Sequence, residues 1–400
     1  MGESSLSQRV QKMTESATIA MSQRSREMTE KGLDVISLSI GQPDFDTPQI
    51  IKDAAKTAID ENYSKYTPVG GFLALRKAIS EKLKRENNLD YNTNEISVST
   101  GAKQAIINVI LALLNPGDEV ILPAPFWVSY MEQIKFAGGV PVILPTSIEN
   151  DFKITTKALS ESITNKTKLI IYSSPCNPSG SVYTTKELND IANEVSQHEN
   201  VFVLSDEIYE YINFTDQAVS IASFPIIKNK VITVNGVAKG FAMTGWRIGY
   251  AAGPQWLIKA CNKIQGQFTS GANSIAQRAC ITALNMGQSL SFEMKTHFLR
   301  RRNLMHELLE DIPGIRVNKP KGAFYLFPDV SNYFGKSYDS TTINNADDLC
   351  EFILTDGLVA LVSGDAFGSP SCIRISYASA DEVLVEACAR IKKSLSKLRS

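Results

Sequence analysis

The sequence predicts an α/β protein: a mostly parallel, doubly wound sheet of seven strands with helices on both faces, plus a smaller α+β domain. Three observations carry this. The 400 residues exceed what one hydrophobic core usually supports. Short apolar runs alternate with helical patterns between about residues 95 and 255. Near residue 290 that alternation stops and a long charged helix begins.

The runs are "EISVST" (95–100), "EVILPAP" (119–125), "VPVILPT" (140–146), "KLIIYSSP" (168–175), "FVLSDE" (202–207), "VITVNG" (231–236) and "RIGYAAG" (247–253). Several are apolar almost throughout, which suits strands covered on both faces. Between them the spacing predicts helices over 102–114, 126–137 and 184–196; the first is opened by Gly101 and closed by "NPGD". Strand–helix alternation of this kind builds a doubly wound sheet, here within a large domain over 46–290. In the remainder, "SFEMKTHFLRRRNLMHELLEDI" leads into "IRVNKPKGAFYLFPDV", "GLVALVSG" and "CIRISYAS", then a closing amphipathic helix. That is a small α+β domain over 291–400. Residues 1–45 are polar and helical in pattern, are expected to join the small domain, and lead into "SIGQPDFDTP", whose prolines and aspartates mark a loop.

Composition excludes several classes. Lys+Arg 41 against Asp+Glu 42 leaves a formal charge of −1, so no global field recruits nucleic acid or an anionic membrane. No apolar run is long enough to cross a bilayer. The opening "MGESSLSQRV" has no apolar signal region, and its Met-Gly reads as an initiator methionine before a small residue. The six cysteines form no C-x-x-C pair and read as reduced thiols of a cytoplasmic protein. Three scattered histidines (His198, His297, His306) make no metal site or triad.

In open α/β sheets ligands bind at the carboxyl ends of the strands. The tips here hold Lys103, Trp127, Asn177, Asp206, Tyr209 and Lys239. Four of them, and Arg247 farther along, have an ordinary structural role open to them: helix cap for Asp206, turn for Asn177, core or interface for Trp127, solvated loop for Lys239, ion pair for Arg247. Their gathering along one sheet edge suits a single cofactor, pyridoxal phosphate. Its aldehyde needs a lysine amine, and its ring nitrogen needs a carboxylate. Its phenolate oxygen needs donors, its ring face an aromatic plate, and its single phosphate a helix N-terminus with a cationic fork. Gly101-Ala102-Lys103 opens a helix directly after a strand and provides that N-terminus. No G-x-G-x-x-G or P-loop is present to suggest dinucleotides or nucleoside triphosphates.

"SSPCNPSG", "SDEIYEY" and "VNGVAKGFAMTGWRIGY", in this order, resemble the class I/II aminotransferases of fold type I, and within them the bacterial aspartate aminotransferase subgroup Ib. The likeness runs from "LSQRVQKMTESATIA" through "GQPDFDTP", "KYTPVGG", "STGAKQAI" and "PAPFWVSY" to "KGAFY" and "RISYA", essentially the whole chain. It implies that Lys239 holds the cofactor and shuttles the proton, that Asp206 pairs with the ring nitrogen, and that Asn177 and Tyr209 donate to the ring oxygen. It further implies that Trp127 stacks on the ring and that Gly101, Ala102 and Arg247 hold the phosphate, with Tyr66 entering from the second subunit of a homodimer. Arg374 then clamps the substrate's α-carboxylate with help from Asn177 and Gly41. Lys103 reads the distal carboxylate, and Ser16 and Thr18 lie in a segment that closes over the side chain. One departure is Ala238, where many relatives carry Ser or Thr before the lysine.

The implied reaction is a ping-pong transfer of an amino group from an L-amino acid, aspartate first, to a 2-oxo acid such as 2-oxoglutarate. Aromatic amino acids and prephenate are the rival substrates. A β-lyase, a decarboxylating enzyme or an aminocyclopropane-carboxylate synthase would use the same cofactor residues. A regulator on this fold would need an added DNA-binding domain, for which there is neither room nor a basic patch.

Overall fold

A computed structural model describes residues 5–215 and 218–399. The Met-Gly opening lies outside the described residues. Each of the seven apolar runs forms a strand: β1 (Ile96–Ser99), β2 (Glu119–Pro123), β3 (Val140–Leu144), β4 (Thr167–Ser173), β5 (Phe202–Asp206), β6 (Val231–Gly236) and β7 (Gly249–Ala252). They lie side by side in the order β1-β7-β6-β5-β4-β2-β3. Pairing is parallel throughout except around β7, which runs antiparallel to both β1 and β6. The strand tips of β4, β5 and β6 therefore point to one edge, where the register sets Ser173 beside Asp206 and Asp206 beside Val234.

The nearly continuous apolar runs follow from cover on both faces. One layer packs Ile121, Ile170, Val203 and Val231 with the helices Leu73–Asn87 and Ser274–Met286. The other packs Val120, Leu169, Leu204 and Ile232 with helix Ala102–Leu113. Each fully buried Ile, Val or Leu contributes about 1.5–3 kcal/mol.

Label the helices that matter below α1 (Ala17–Glu30), α2 (Ala102–Leu113), α3 (Ser129–Phe136), α4 (Thr185–Ser196), α5 (Gln288–Glu310) and α6 (Asp381–Leu395). α2 and α4 match their expected bounds to a residue at either end. α3 starts three residues later than the pattern suggests, because Phe126 is drawn out of the helix to bond its N–H to the Phe367 carbonyl at 3.0 Å. Trp127 is thereby left in the loop at the sheet edge. β7 likewise begins two residues late, since Arg247 takes a left-handed backbone (φ 56°).

Beyond α5 a three-stranded antiparallel sheet forms from Val362–Ser363, Ile373–Ser376 and Tyr325–Leu326. α5 and α6 pack against the core that covers it. Ile36–Ser37 pairs in parallel with Val359–Ala360, so the stretch after α1 is fastened to this C-terminal part rather than to the large sheet.

Candidate active site

Where the strand tips face the C-terminal part there is a cavity of about 290 Å³. Ser16, Thr18, Gly41, Ala102, Lys103, Trp127, Asn177, Asp206, Tyr209, Lys239, Arg247 and Arg374, drawn from across the whole sequence, all line it. Of the residues singled out in the sequence, Gly101 sits just behind the lining and Tyr66 lies away from it, 96% exposed.

Asp206 ends β5 and is buried. Its Oδ2 accepts from the Tyr130 hydroxyl at 2.7 Å and its Oδ1 from the Ile208 N–H at 3.2 Å. Burial pushes this carboxyl up to about 6, against the pull of those two donors and of Lys239. No Lys, Arg or His among the described residues makes an ion pair with it. A buried acid with donors but no cation fits the protonated nitrogen of a pyridine ring.

Lys239 follows β6 on a turn whose neighbours Val237, Ala238, Gly240 and Phe241 are buried. Its Nζ donates to the Gly41 carbonyl. Burial, then the charges of Arg374 and Arg247, hold the amine down at about 8, with Asp206 opposing. An amine brought so low has a nucleophilic fraction near neutral pH, as bonding to an aldehyde requires.

The third element is an anion cradle. α2 begins at Gly101 (φ 81°) with no side chain accepting from its first turn. The Gly101 and Gln104 amides bond to the Ser99 and Gly101 carbonyls; those of Ala102 and Lys103 have no acceptor among the described residues and can bind a ligand. Arg247 reaches the same spot: a Cβ on Gly101 would stand 2.3 Å from Arg247 Nη2. Gly249 on β7 is needed for the same close packing, since a Cβ there would lie 2.2 Å from the Ala102 nitrogen. Arg247 Nη1 donates only to the Thr244 carbonyl, 2.9 Å away, and no carboxylate neutralises the guanidinium among the described residues. Its left-handed backbone is worth roughly 1–3 kcal/mol of strain, of the kind that persists at ligand sites. These three features together fit pyridoxal phosphate: amine, ring-nitrogen partner and phosphate cradle.

The remaining wall is cationic. Arg374 is 1% exposed, donates to Asn177 Oδ1 at 3.1 Å and to the Ser39 carbonyl, and keeps Nε without a partner among the described residues. No carboxylate pairs with it among the described residues, and burial works against its charge. Lys103 Nζ lies 5.0 Å from the Trp127 ring, also without a carboxylate. Burial and the charge of Arg247 lower its pKa. Thr18 Oγ1 is buried beside the cavity with no partner among the described residues.

Two lining tyrosines were missed by reading the sequence. Tyr130, in the first turn of α3, sets its ring edge-on to Trp127 in the loop before it, with centroids 5.4 Å apart; it closes the quoted run "PAPFWVSY", which could have marked it. Tyr325 bonds the Tyr209 hydroxyl at 2.7 Å and leaves Gly41 no room for a side chain, a Cβ there lying 2.3 Å from its oxygen. It arrives from the C-terminal part, at the end of the quoted run "KGAFY", where nothing in the run alone places it beside Tyr209.

Residues 33–391 match the family described as aminotransferase class I and II. The chain is 48% identical to a Petunia hybrida protein named bifunctional aspartate aminotransferase and glutamate/aspartate-prephenate aminotransferase, over 98% of this chain and 83% of that one. Among solved structures it is similar to the aspartate aminotransferase from Rhizobium meliloti (40% identity, TM-score 0.95, covering 98% and 99%). It is also similar to the Thermus thermophilus aspartate aminotransferase with maleate (39% identity, TM-score 0.91, covering 97% and 99%).

Proposed function

The chain belongs to the class I and II aminotransferases and is a pyridoxal-phosphate-dependent transaminase, and we propose that it moves an amino group between aspartate and 2-oxoglutarate. One observation carries the choice of substrate. The cavity offers two cations without carboxylate partners among the described residues, Arg374 and Lys103, which suits a dicarboxylate.

In this reading Lys239 takes the cofactor's aldehyde, Asp206 pairs with its ring nitrogen, and Asn177 and Tyr209 donate to its ring oxygen. Trp127 covers the ring face, while Gly101, Ala102 and Arg247 hold the phosphate. When bound, the group supplies the aldehyde and an electron-accepting ring. Arg374, steadied by Asn177 and the backbone at Gly41, orients the substrate's α-carboxylate so that its Cα–H faces Lys239 Nζ. The lowered pKa of that amine lets it take the Cα proton near neutral pH and give it back. Lys103 meets the distal carboxylate, and Ser16 and Thr18 close over the side chain and exclude water. The exposed Tyr66 suits a homodimer in which Tyr66 of the partner subunit completes the phosphate site.

Prephenate is a second reading, favoured by the free Thr18 hydroxyl and by the name of the Petunia relative. Single half-reaction rates with aspartate, glutamate and phenylalanine, and amino transfer to prephenate, separate the two. Aspartate and glutamate are expected to react at least about tenfold faster than phenylalanine, the difference one charge-assisted contact makes. Equal rates would remove the dicarboxylate reading.

A further inference from the structure

The loop "SIGQPDFDTP" has so far contributed only carbonyl groups, yet it is fastened along its whole length. At its start the Ser39 carbonyl accepts from Arg374 Nη2 and the Gly41 carbonyl from Lys239 Nζ. The two side chains assigned to the substrate's carboxylate and Cα proton are thus steadied by backbone two residues apart. Farther on, Asp44 Oδ1 accepts from Arg301 Nη1 at 2.8 Å, and Arg301 Nε donates to Asp381 Oδ1 at 3.3 Å. Arg301 sits on α5 with its side chain 8% exposed, and its guanidinium lies 5.2 Å from the Phe45 ring. At the far end Thr47 Oγ1 donates to the Ala242 carbonyl at 2.7 Å and accepts from Trp246 Nε1 at 3.1 Å. Ala242 and Trp246 belong to the turn between Lys239 and Arg247. One loop therefore ties α5 and the start of α6 to the cofactor lysine's own turn.

An exposed ion pair in such a place would matter little. Arg301 is not exposed, and its fork is divided between the loop and the first residue of α6. Removing Asp44 leaves a buried guanidinium partly unpaired and frees the loop at its middle. Displacements well under an ångström at the Ser39 and Gly41 carbonyls are enough to disturb groups that must meet a substrate in register.

We propose that Asp44 and Arg301, braced by Asp381, are positioning residues: they hold the Ser39–Gly41 backbone where Arg374 and Lys239 can engage the substrate. The inference rests on the reading of Arg374 as the α-carboxylate clamp. The test measures the Kd of maleate, an unreactive dicarboxylate, from the cofactor absorbance of the holoenzyme, together with KM and kcat for aspartate. Asp44→Ala is expected to weaken maleate about tenfold and to raise KM for aspartate by a similar factor. Arg301→Lys, which keeps the charge but loses the fork, falls between Asp44→Ala and the unaltered enzyme. Arg300→Ala is the control: Arg300 is exposed and bonds Asp381 alone among these groups at 2.9 Å, so maleate binding stays within about twofold. A purely structural pair lowers the melting temperature and leaves the maleate Kd unchanged, and an unchanged Kd in Asp44→Ala overturns the proposal. Should Asp44→Ala not fold, Arg301→Lys and Thr47→Val are judged by the same criterion. Failure of the unaltered enzyme to bind maleate overturns the clamp reading itself, a result distinct from failure of the positioning role.

Discussion

The two ends of the cavity differ in how far their charges are already satisfied. At the cofactor end Asp206 holds two donors and Lys239 a carbonyl, and both sit on tips of the large parallel sheet. At the substrate end Arg374 keeps a free Nε, Lys103 has no carboxylate, and Thr18 Oγ1 has no partner among the described residues. A resident group is bound continuously, so its partners can be fixed and dry. A passing substrate must find donors that are open. The difference teaches that the groups proposed to meet the cofactor's aldehyde and ring nitrogen are already partnered, whereas those proposed for the substrate are open; Arg247, proposed for the cofactor's phosphate, has no carboxylate among the described residues either.

The largest way to break this contrast is Lys239→Ala. With its amine proposed as the proton carrier, the half-reaction with aspartate is expected to slow by on the order of 10⁴-fold, measured by rapid mixing. A loss under tenfold would assign the proton to another group. Next comes Arg374→Ala, which removes a buried charged donor from the substrate end alone. It should cost about 3 kcal/mol in kcat/KM for aspartate, on the order of 100-fold, with cofactor affinity unchanged. A matching loss of cofactor affinity would mean that the two ends are not separable.

The cofactor end should also reveal itself through stability. A carboxyl raised from 3.8 to about 6 binds more protons folded than unfolded between those values. Its ionisation therefore subtracts stability as pH rises through that window and subtracts fully above it. In the cofactor-free protein Asp206→Asn is expected to add on the order of 2–3 kcal/mol at pH 7 and almost nothing below pH 4, read from denaturant melts. A gain that is the same at both pH values would contradict the raised carboxyl. The smallest effect expected is that of Lys103→Ala: about a tenfold loss with aspartate, and within twofold for alanine. Equal losses for both amino acids would assign Lys103 to the cofactor end.

Most of the first end was legible in the sequence, and the reason is physical. A strand buried on both faces writes a nearly continuous apolar run, so "FVLSDE" and "VITVNG" located β5 and β6; Asp206, the last residue of β5, and Lys239, the first polar residue after β6, both line the cavity. Helix starts were as plain where glycine opens them, as at Gly101 before α2. What stayed hidden depends on contacts between distant segments. The late start of α3 is imposed by the Phe367 carbonyl, over two hundred residues away, and Tyr325 reaches Tyr209 from a different sheet. The Asp44–Arg301 pair likewise joins a loop of proline and aspartate to the middle of a long charged helix, where either residue alone reads as a solvated charge.

The measurement that bears most directly on the account is borohydride reduction of the holoenzyme, followed by digestion and mass spectrometry. The account predicts that the cofactor's mass is fixed to the single peptide containing Lys239, and that Lys239→Ala protein retains none. Mass fixed to Lys103 or to any other lysine, or none fixed at all, would contradict it.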